Sequence, residues 1–179
     1  MLMRVPCDLS VSHEGTLMTE QVRIPQVSQY GSVDPAPPSK TTVVAELRQN
    51  LVDENLAMFQ RMRAVFSLRN QGTEEACLAL CDGFTSTSAL LRHEVAYVLG
   101  QMQNAAAIPT LISVLEDVEE HVMVRHEAAE AMGAIGDRSV ISTLKKFAAS
   151  PLPEISESCI VALDLLAWVD GSEFEQTDW

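Results

Sequence analysis

Leu91-Arg92-His93-Glu94-Val95-Ala96-Tyr97-Val98-Leu99-Gly100 and Val124-Arg125-His126-Glu127-Ala128-Ala129-Glu130-Ala131-Met132-Gly133 are two copies of one pattern. Each reads Arg-His-Glu, then a helical apolar run, then glycine seven residues after the histidine. The histidines are 33 residues apart, the length of a two-helix repeat, so the second pair is expected one repeat along a stack, on the equivalent face. Histidine beside glutamate offers an imidazole nitrogen and a carboxylate oxygen. Two such pairs facing one groove make a mixed nitrogen and oxygen ligand set, which suits a first-row transition metal such as iron. The bland account is that a duplicated repeat duplicates its His-Glu with it. Against that, the neighbouring repeats lack the pair.

Working outward, corresponding positions are Met62-Arg63, His93-Glu94, His126-Glu127 and Glu157-Ser158, spaced by 31, 33 and 31 residues. Apolar residues recur at three- and four-residue intervals from Thr42 to Val169, and no strand pattern interrupts them. Asp53, Thr73 and Asp137 are expected helix caps, Gly133 and Gly136 are expected to close the helix bearing His126, and Pro109 is tolerable near a first turn. About eight helices are expected. A helix pair cannot bury its own apolar face, so the pairs stack. The fold expected is all-α: a HEAT-like α-solenoid of about four helix pairs, preceded by a disordered leader. The two middle repeats carry ligands and the outer two act as structural caps. The expected organisation is a flexible leader and Pro-rich linker over 1–40, a metal-binding domain over 41–170 and an acidic tail over 171–179.

Composition agrees with packed helices. Of 179 residues, 47% are hydrophobic and only 5% aromatic, so the core is built from Ala, Leu, Val and Met. The formal charge of −13, from 12 basic and 25 acidic residues, repels nucleic acid and anionic membrane and favours a basic protein partner, or serves solubility alone. Cys7, Cys77, Cys81 and Cys159 form no CxxC and no zinc spacing, and are read as small thiols, chiefly buried. Neither a secretory signal nor a run of transmembrane length is recognised, which gives a reduced, cytoplasmic compartment as the expectation. A third pair, His13-Glu14, has no amphipathic run around it and is read as coincidence.

Adjacent residues on a helix point about 100° apart, so one histidine and its glutamate do not naturally chelate one ion. His93 and His126, from stacked helices, are expected to share one. Glu94 and Glu127 then point towards a second ion or an opposing surface. Arg92 and Arg125 are expected to pair with neighbouring carboxylates, since guanidinium cannot coordinate.

The run from Leu91 to Gln103, the run from Met123 to Gly136, the helix from Phe59 to Asn70 and the linker Ser32-Val33-Asp34-Pro35-Ala36-Pro37-Pro38 closely resemble the deoxyhypusine hydroxylases. The resemblance covers roughly residues 30–171 and fits the C-terminal half of that family, a HEAT-repeat dimetal enzyme with two His-Glu motifs in each half. It implies two iron ions, dioxygen as oxidant, and hydroxylation of the deoxyhypusine side chain on eukaryotic translation initiation factor 5A. It also implies that His93 and His126 bind one iron while Glu94 reaches across to the other. Glu127 lies at the open substrate or oxygen side as the catalytic contact. Nothing in residues 1–29 resembles the other half, so one wall of the ligand set is missing; self-association or pairing with an N-terminal half would complete it, and without either the chain is expected to stay a metal-poor solenoid. Two other classes stand beside this reading: a catalytically inactive HEAT-repeat interaction scaffold, and a lyase-type relative that handles bilin chromophores.

Overall fold

The computed structural model of the protein describes residues 27–169 and Gly171. The expected leader over residues 1–26, with Cys7 and His13-Glu14, lies outside the described residues, as does most of the expected acidic tail.

Eight α-helices make up the described chain: α1 (Val44–Val52), α2 (Met58–Gln71), α3 (Glu74–Cys81), α4 (Ala89–Met102), α5 (Ile108–Glu116), α6 (Val122–Ile135), α7 (Ile141–Phe147) and α8 (Pro153–Val169). Among the described residues the only strand-like pairing is an isolated bridge between Val27 and Val33. The helices form four consecutive pairs. The second members, α2, α4, α6 and α8, lie side by side as one layer, and the first members pack behind it. This is the expected solenoid of four helix pairs. Among the described residues, no helix is long and apolar enough to cross a membrane.

Local chemistry sets the helix ends. The hydroxyl of Thr73 accepts from the Ala76 amide at 3.2 Å, and that of Ser88 from the Leu91 amide at 3.3 Å, each satisfying an orphan donor of a first turn. Asn104 and Asp137 cap short 3-10 turns that lead into α5 and α7. Gly136 ends α6 in the left-handed region at φ 83°, where glycine alone carries no Cβ penalty. Two sequence expectations fail at helix ends. Asp53 does not cap α2; its carboxylate accepts from the Asn55 amide at 2.9 Å in a turn, and α2 begins only at Met58. Gly133 does not close α6. It lies inside that helix, at a close approach to α8.

The core is aliphatic and continuous. Leu47, Leu51, Val65, Phe66, Leu68, Leu80, Leu91, Val95, Val98, Leu99, Leu111, Leu115, Met132 and Leu144 are all fully buried. Cys77 and Cys159 are buried free thiols, as expected, and Cys81 is half-buried. Burial pushes the Cys159 thiol up to about 11. One periodic feature joins the repeats: Arg61 and Arg125, each directly before the Met62 or His126 position, both donate to a backbone carbonyl ten residues upstream. Arg61 Nε reaches Leu51 O at 2.9 Å, and Arg125 Nε reaches Leu115 O at 3.0 Å. Each thereby satisfies a carbonyl near the C-terminal end of the preceding helix. Arg61 also grips Glu54 with two bonds of 2.9 Å; with Thr87, it holds that carboxyl down at about 2.

The Pro-rich stretch expected as a flexible linker is docked along α2 over its described part. Arg63 donates to the carbonyls of Pro37 and Pro38, the Ser39 amide donates to Ser67 Oγ at 2.7 Å, and Ala36 enters the core. Arg69, fully buried, grips both oxygens of Asp34 at 2.8 and 2.6 Å and lies between the rings of Tyr30 and Phe66. Proline composition reads as a spacer, but these carbonyls and this carboxylate are recognised by α2.

Candidate metal centre

The close packing of α4, α6 and α8 builds the site. A Cβ added at Gly100 would stand 3.1 Å from Ala131 Cα, and one at Gly133 would stand 2.8 Å from Ala162 Cα. The glycine seven residues after each histidine is therefore the place where the next helix of the layer comes in. With backbones this near, side chains two turns earlier on α4 and α6 meet. The rings of His93 and His126 stack with centroids 6.1 Å apart and planes inclined by 23°.

Glu127 completes the group. Its Oε2 lies 3.2 Å from His93 Nε2 and 3.5 Å from His126 Nε2. Donor atoms of His93, His126 and Glu127 all fall within 4.8 Å of one another, the only grouping of this kind among the described residues. Two imidazoles and one carboxylate gathered on one side match the donor set of a mononuclear non-haem iron or similar divalent ion with open positions. All three side chains are mostly buried, with side-chain exposures of 30%, 20% and 11%.

The electrostatics are those of a site built for positive charge. Burial, then the carboxylates of Glu130 and Glu94, push Glu127 up to about 7. Burial, then the neighbouring His126, lowers His93. A cation among them would draw Glu127 back down and press His93 further down, favouring the carboxylate and the neutral imidazole that ligation needs.

Of the four expected ligands, the structure brings together three. Glu94 stands apart: burial, and next to it Asp34, raise its carboxyl, while Arg69 acts in the opposite sense, which places it towards the α2 side of the layer. Glu127, expected to point away from the histidines, instead touches both. Arg92 pairs with Glu120 through two bonds of 2.6 Å, as expected. The shown partners of Arg125 are the Leu115 carbonyl and the face of Phe147, not a carboxylate.

Two residues escaped the sequence reading. Ser158 Oγ lies 2.8 Å from His126 Nδ1 and donates to Glu130 Oε1 at 3.1 Å. Glu130 Oε1 is itself 3.3 Å from His126 Nδ1. The available signals were spacing alone: Glu130 is one turn after His126, and Ser158 holds the place in the fourth repeat that Glu127 holds in the third. Beside the cluster runs a groove of about 390 Å³, with Glu127 and Glu130 at its acidic side and Tyr97, Val161 and Leu165 among its apolar walls.

Fold and site together define a HEAT-repeat helix stack with a histidine and carboxylate cluster between its middle repeats. A family model described as HEAT repeats matches residues 78–164. The deoxyhypusine hydroxylase of Danio rerio is 51% identical over 149 residues, 83% of this chain and 49% of that protein. The Schizosaccharomyces pombe deoxyhypusine hydroxylase is 50% identical over 155 residues, 83% of this chain and 49% of its own length. The structure of human deoxyhypusine hydroxylase in complex with glycerol superposes with a TM-score of 0.78 at 49% identity, covering 81% of this chain and 50% of that one. The chain belongs to the deoxyhypusine hydroxylase family, and it spans about half the length of the curated relatives it matches.

Proposed function

We propose that this chain supplies one metal-holding wall of a deoxyhypusine hydroxylase, acting on the deoxyhypusine side chain of eukaryotic translation initiation factor 5A in the cytoplasm. The observation that carries the reading is the convergence of His93, His126 and Glu127 within 4.8 Å. They would hold an iron ion, and the donor set fits one. Glu94, outside the cluster, is free to serve a second iron held mainly by another wall. Bound iron would supply activation of dioxygen: one oxygen atom enters a carbon–hydrogen bond of the side chain, and the other leaves as water with two protons and two electrons from a reductant.

The chain's own residues bind and orient. Deoxyhypusine carries two amines on an aliphatic chain, so it needs apolar walls for methylenes and carboxylates for ammonium groups. The groove beside the cluster offers both. Since Glu127 faces the imidazoles, Glu130 is the better amine contact: its side chain is 40% exposed and lines the same groove. The acidic surface attracts the basic loop that presents the side chain, an attraction that salt screens.

The test is direct. The purified chain, alone and with a polypeptide bearing the complementary His-Glu motifs, is given iron(II), a reductant, oxygen and deoxyhypusine-containing factor 5A. Gain of one oxygen atom on the side chain, measured by mass spectrometry and lost in His93→Ala or His126→Ala, supports the reading. Absence of both iron binding and turnover in every combination sinks it, and leaves the interaction scaffold as the remaining account.

A further inference from the structure

We infer that Ser158, in the repeat that carries no ligand of its own, is a positioning residue that fixes the tautomer of His126 and so aims its Nε2 lone pair into the cluster. The inference rests on the reading that His93, His126 and Glu127 hold the metal.

Donors and acceptors form a chain around His126. An imidazole can lend Nε2 to a cation only if its proton sits on Nδ1. That N–H then needs an acceptor, because a buried donor left unmade costs its desolvation. Ser158 Oγ lies 2.8 Å from His126 Nδ1. Distance alone leaves the direction open, since either atom could donate. The second bond of Ser158 closes it: Oγ donates to Glu130 Oε1 at 3.1 Å, and a carboxylate oxygen only accepts. The hydroxyl has one hydrogen, and it is committed to Glu130. Ser158 must therefore accept from His126, and Nδ1 must carry the proton. Nε2 is left with its lone pair, 3.5 Å from Glu127 Oε2 and on the side of His93. Glu130 Oε1, at 3.3 Å from the same Nδ1, reinforces that assignment as an additional acceptor.

Serine, histidine and glutamate in contact also make up a hydrolytic triad. That alternative fails on access, because Ser158 is only 5% exposed. It also fails on direction, because the hydroxyl that donates to Glu130 has no second hydrogen for the imidazole.

The arrangement gives the fourth repeat a task. Partners of a ligating imidazole typically contribute about 10- to 100-fold to metal affinity. α8 reaches His126 because Gly133 lets Ala162 approach, so the packing that closes the solenoid also orients the ligand.

Two measurements test this in the full chain. Nitrogen-15 NMR of the metal-free protein at about pH 8, where unperturbed imidazoles are neutral, reads the tautomer directly. The expected result is a protonated Nδ1 and unprotonated Nε2 on His126, becoming a tautomer mixture in Ser158→Ala. Anaerobic titration with iron(II) is expected to show affinity reduced by about 10- to 100-fold in Ser158→Ala, with circular dichroism and Tm close to the parent. A protonated Nε2 in the parent overturns the inference. So does a folded Ser158→Ala variant with parental tautomer and parental affinity, including the case in which only Glu130→Gln lowers affinity and Glu130 proves to be the acceptor that matters. If the parent binds no iron at all, the metal reading fails, while the nitrogen signals still decide whether Ser158 sets the tautomer.

Discussion

His93 and His126 stack at a centroid separation of 6.1 Å although they stand 33 positions apart in the chain. Neither ring is drawn there by the other: two neutral imidazoles gain little by stacking, and two protonated ones repel. The separation is set by their helices, which come together at Gly100, while Gly133 brings α8 against the far side of α6. The site is thus as good as the packing beneath it, and the predictions begin there.

Gly133→Ala should destabilise the fold and loosen the site. The new Cβ would meet Ala162 Cα and Cβ, both at 2.8 Å, so backbone must move. A loss of about 1–3 kcal/mol is expected from overpacking, read as a lower urea midpoint. Gly100→Ala should do less, since its nearest atom, Ala131 Cα, is at 3.1 Å. Equal or reversed effects would show that the close approach is not what these glycines serve.

Removing Asp34 should be costly, because it leaves Arg69 charged, fully buried and short of its best partner. Breaking a buried pair on one side is worth about 3–5 kcal/mol, although Asn70 and Gln101 also accept from this guanidinium and will soften the loss. Asp34→Ala is therefore expected to lower Tm by several degrees, and Asp34→Ala with Arg69→Met to recover part of it. No change in Tm on losing Asp34 would mean that the linker is not held by this pair.

The metal-free protein should lose stability as pH rises towards 7, through Glu127. Its folded carboxyl titrates at about 7, above its ordinary value of 4.5. Between those values the folded state binds the proton more tightly than the unfolded chain, so folding is favoured at the acidic end and the advantage is gone above about 7. His93 acts in the opposite sense: lowered by burial, it favours folding as pH rises towards 6.5. Glu127→Gln isolates the first effect. The variant should be more stable than the parent above pH 7, by on the order of 3 kcal/mol if the whole shift is realised, and should lose that advantage near pH 4. Denaturation across this range checks it; parallel pH curves for the two proteins would refute the assignment.

The helices were legible in the sequence because apolar spacing, caps and glycines agreed, and so was the solenoid, through the recurrence of Arg-His-Glu. Misreadings came where one residue type serves two purposes. Asp53 is a good cap and an equally good turn former, and glycine marks both helix ends and close approaches, so Gly133 read as a stop. Glu94 and Glu127 occupy equivalent places in their repeats, and the repeat pattern treats them alike; only the family resemblance separated them, assigning Glu94 to a second iron and Glu127 to the open side. The layer does: His93 on α4 reaches forward to Glu127 on α6, whereas Glu94 lies near Asp34 and Arg69, on the side of α2, where Met62-Arg63 stands at the matching place. Ser158 stayed invisible because a serine in an apolar helix carries no pattern of its own.

The difference between Glu94 and Glu127 leads to the last prediction, on competence. Glu127→Ala should remove a donor within reach of both histidines, and iron(II) binding by the chain alone should fall by at least about tenfold, since even residues that only support ligands contribute that much. Glu94→Ala should leave this binding near the parental value, because Glu94 is outside the cluster. Turnover is expected to behave differently. One ion held by three protein donors does not make a two-iron centre, and the chain matches about half the length of its relatives. On the proposed two-iron reading, a second wall would bring the remaining donors, either from a polypeptide with the complementary His-Glu motifs or from a second copy of this chain. A second copy brings two strongly acidic surfaces together, so the complementary polypeptide is expected to pair more readily, and iron should assist either association by neutralising charge. Within such a pair, Glu94→Ala should abolish hydroxylation while sparing the first iron. Iron counting by mass spectrometry of the intact assembly, alongside the hydroxylation assay, separates the two effects. Full turnover by a demonstrated monomer, or loss of the monomer's iron in Glu94→Ala, would show that this division between the two carboxylates is wrong.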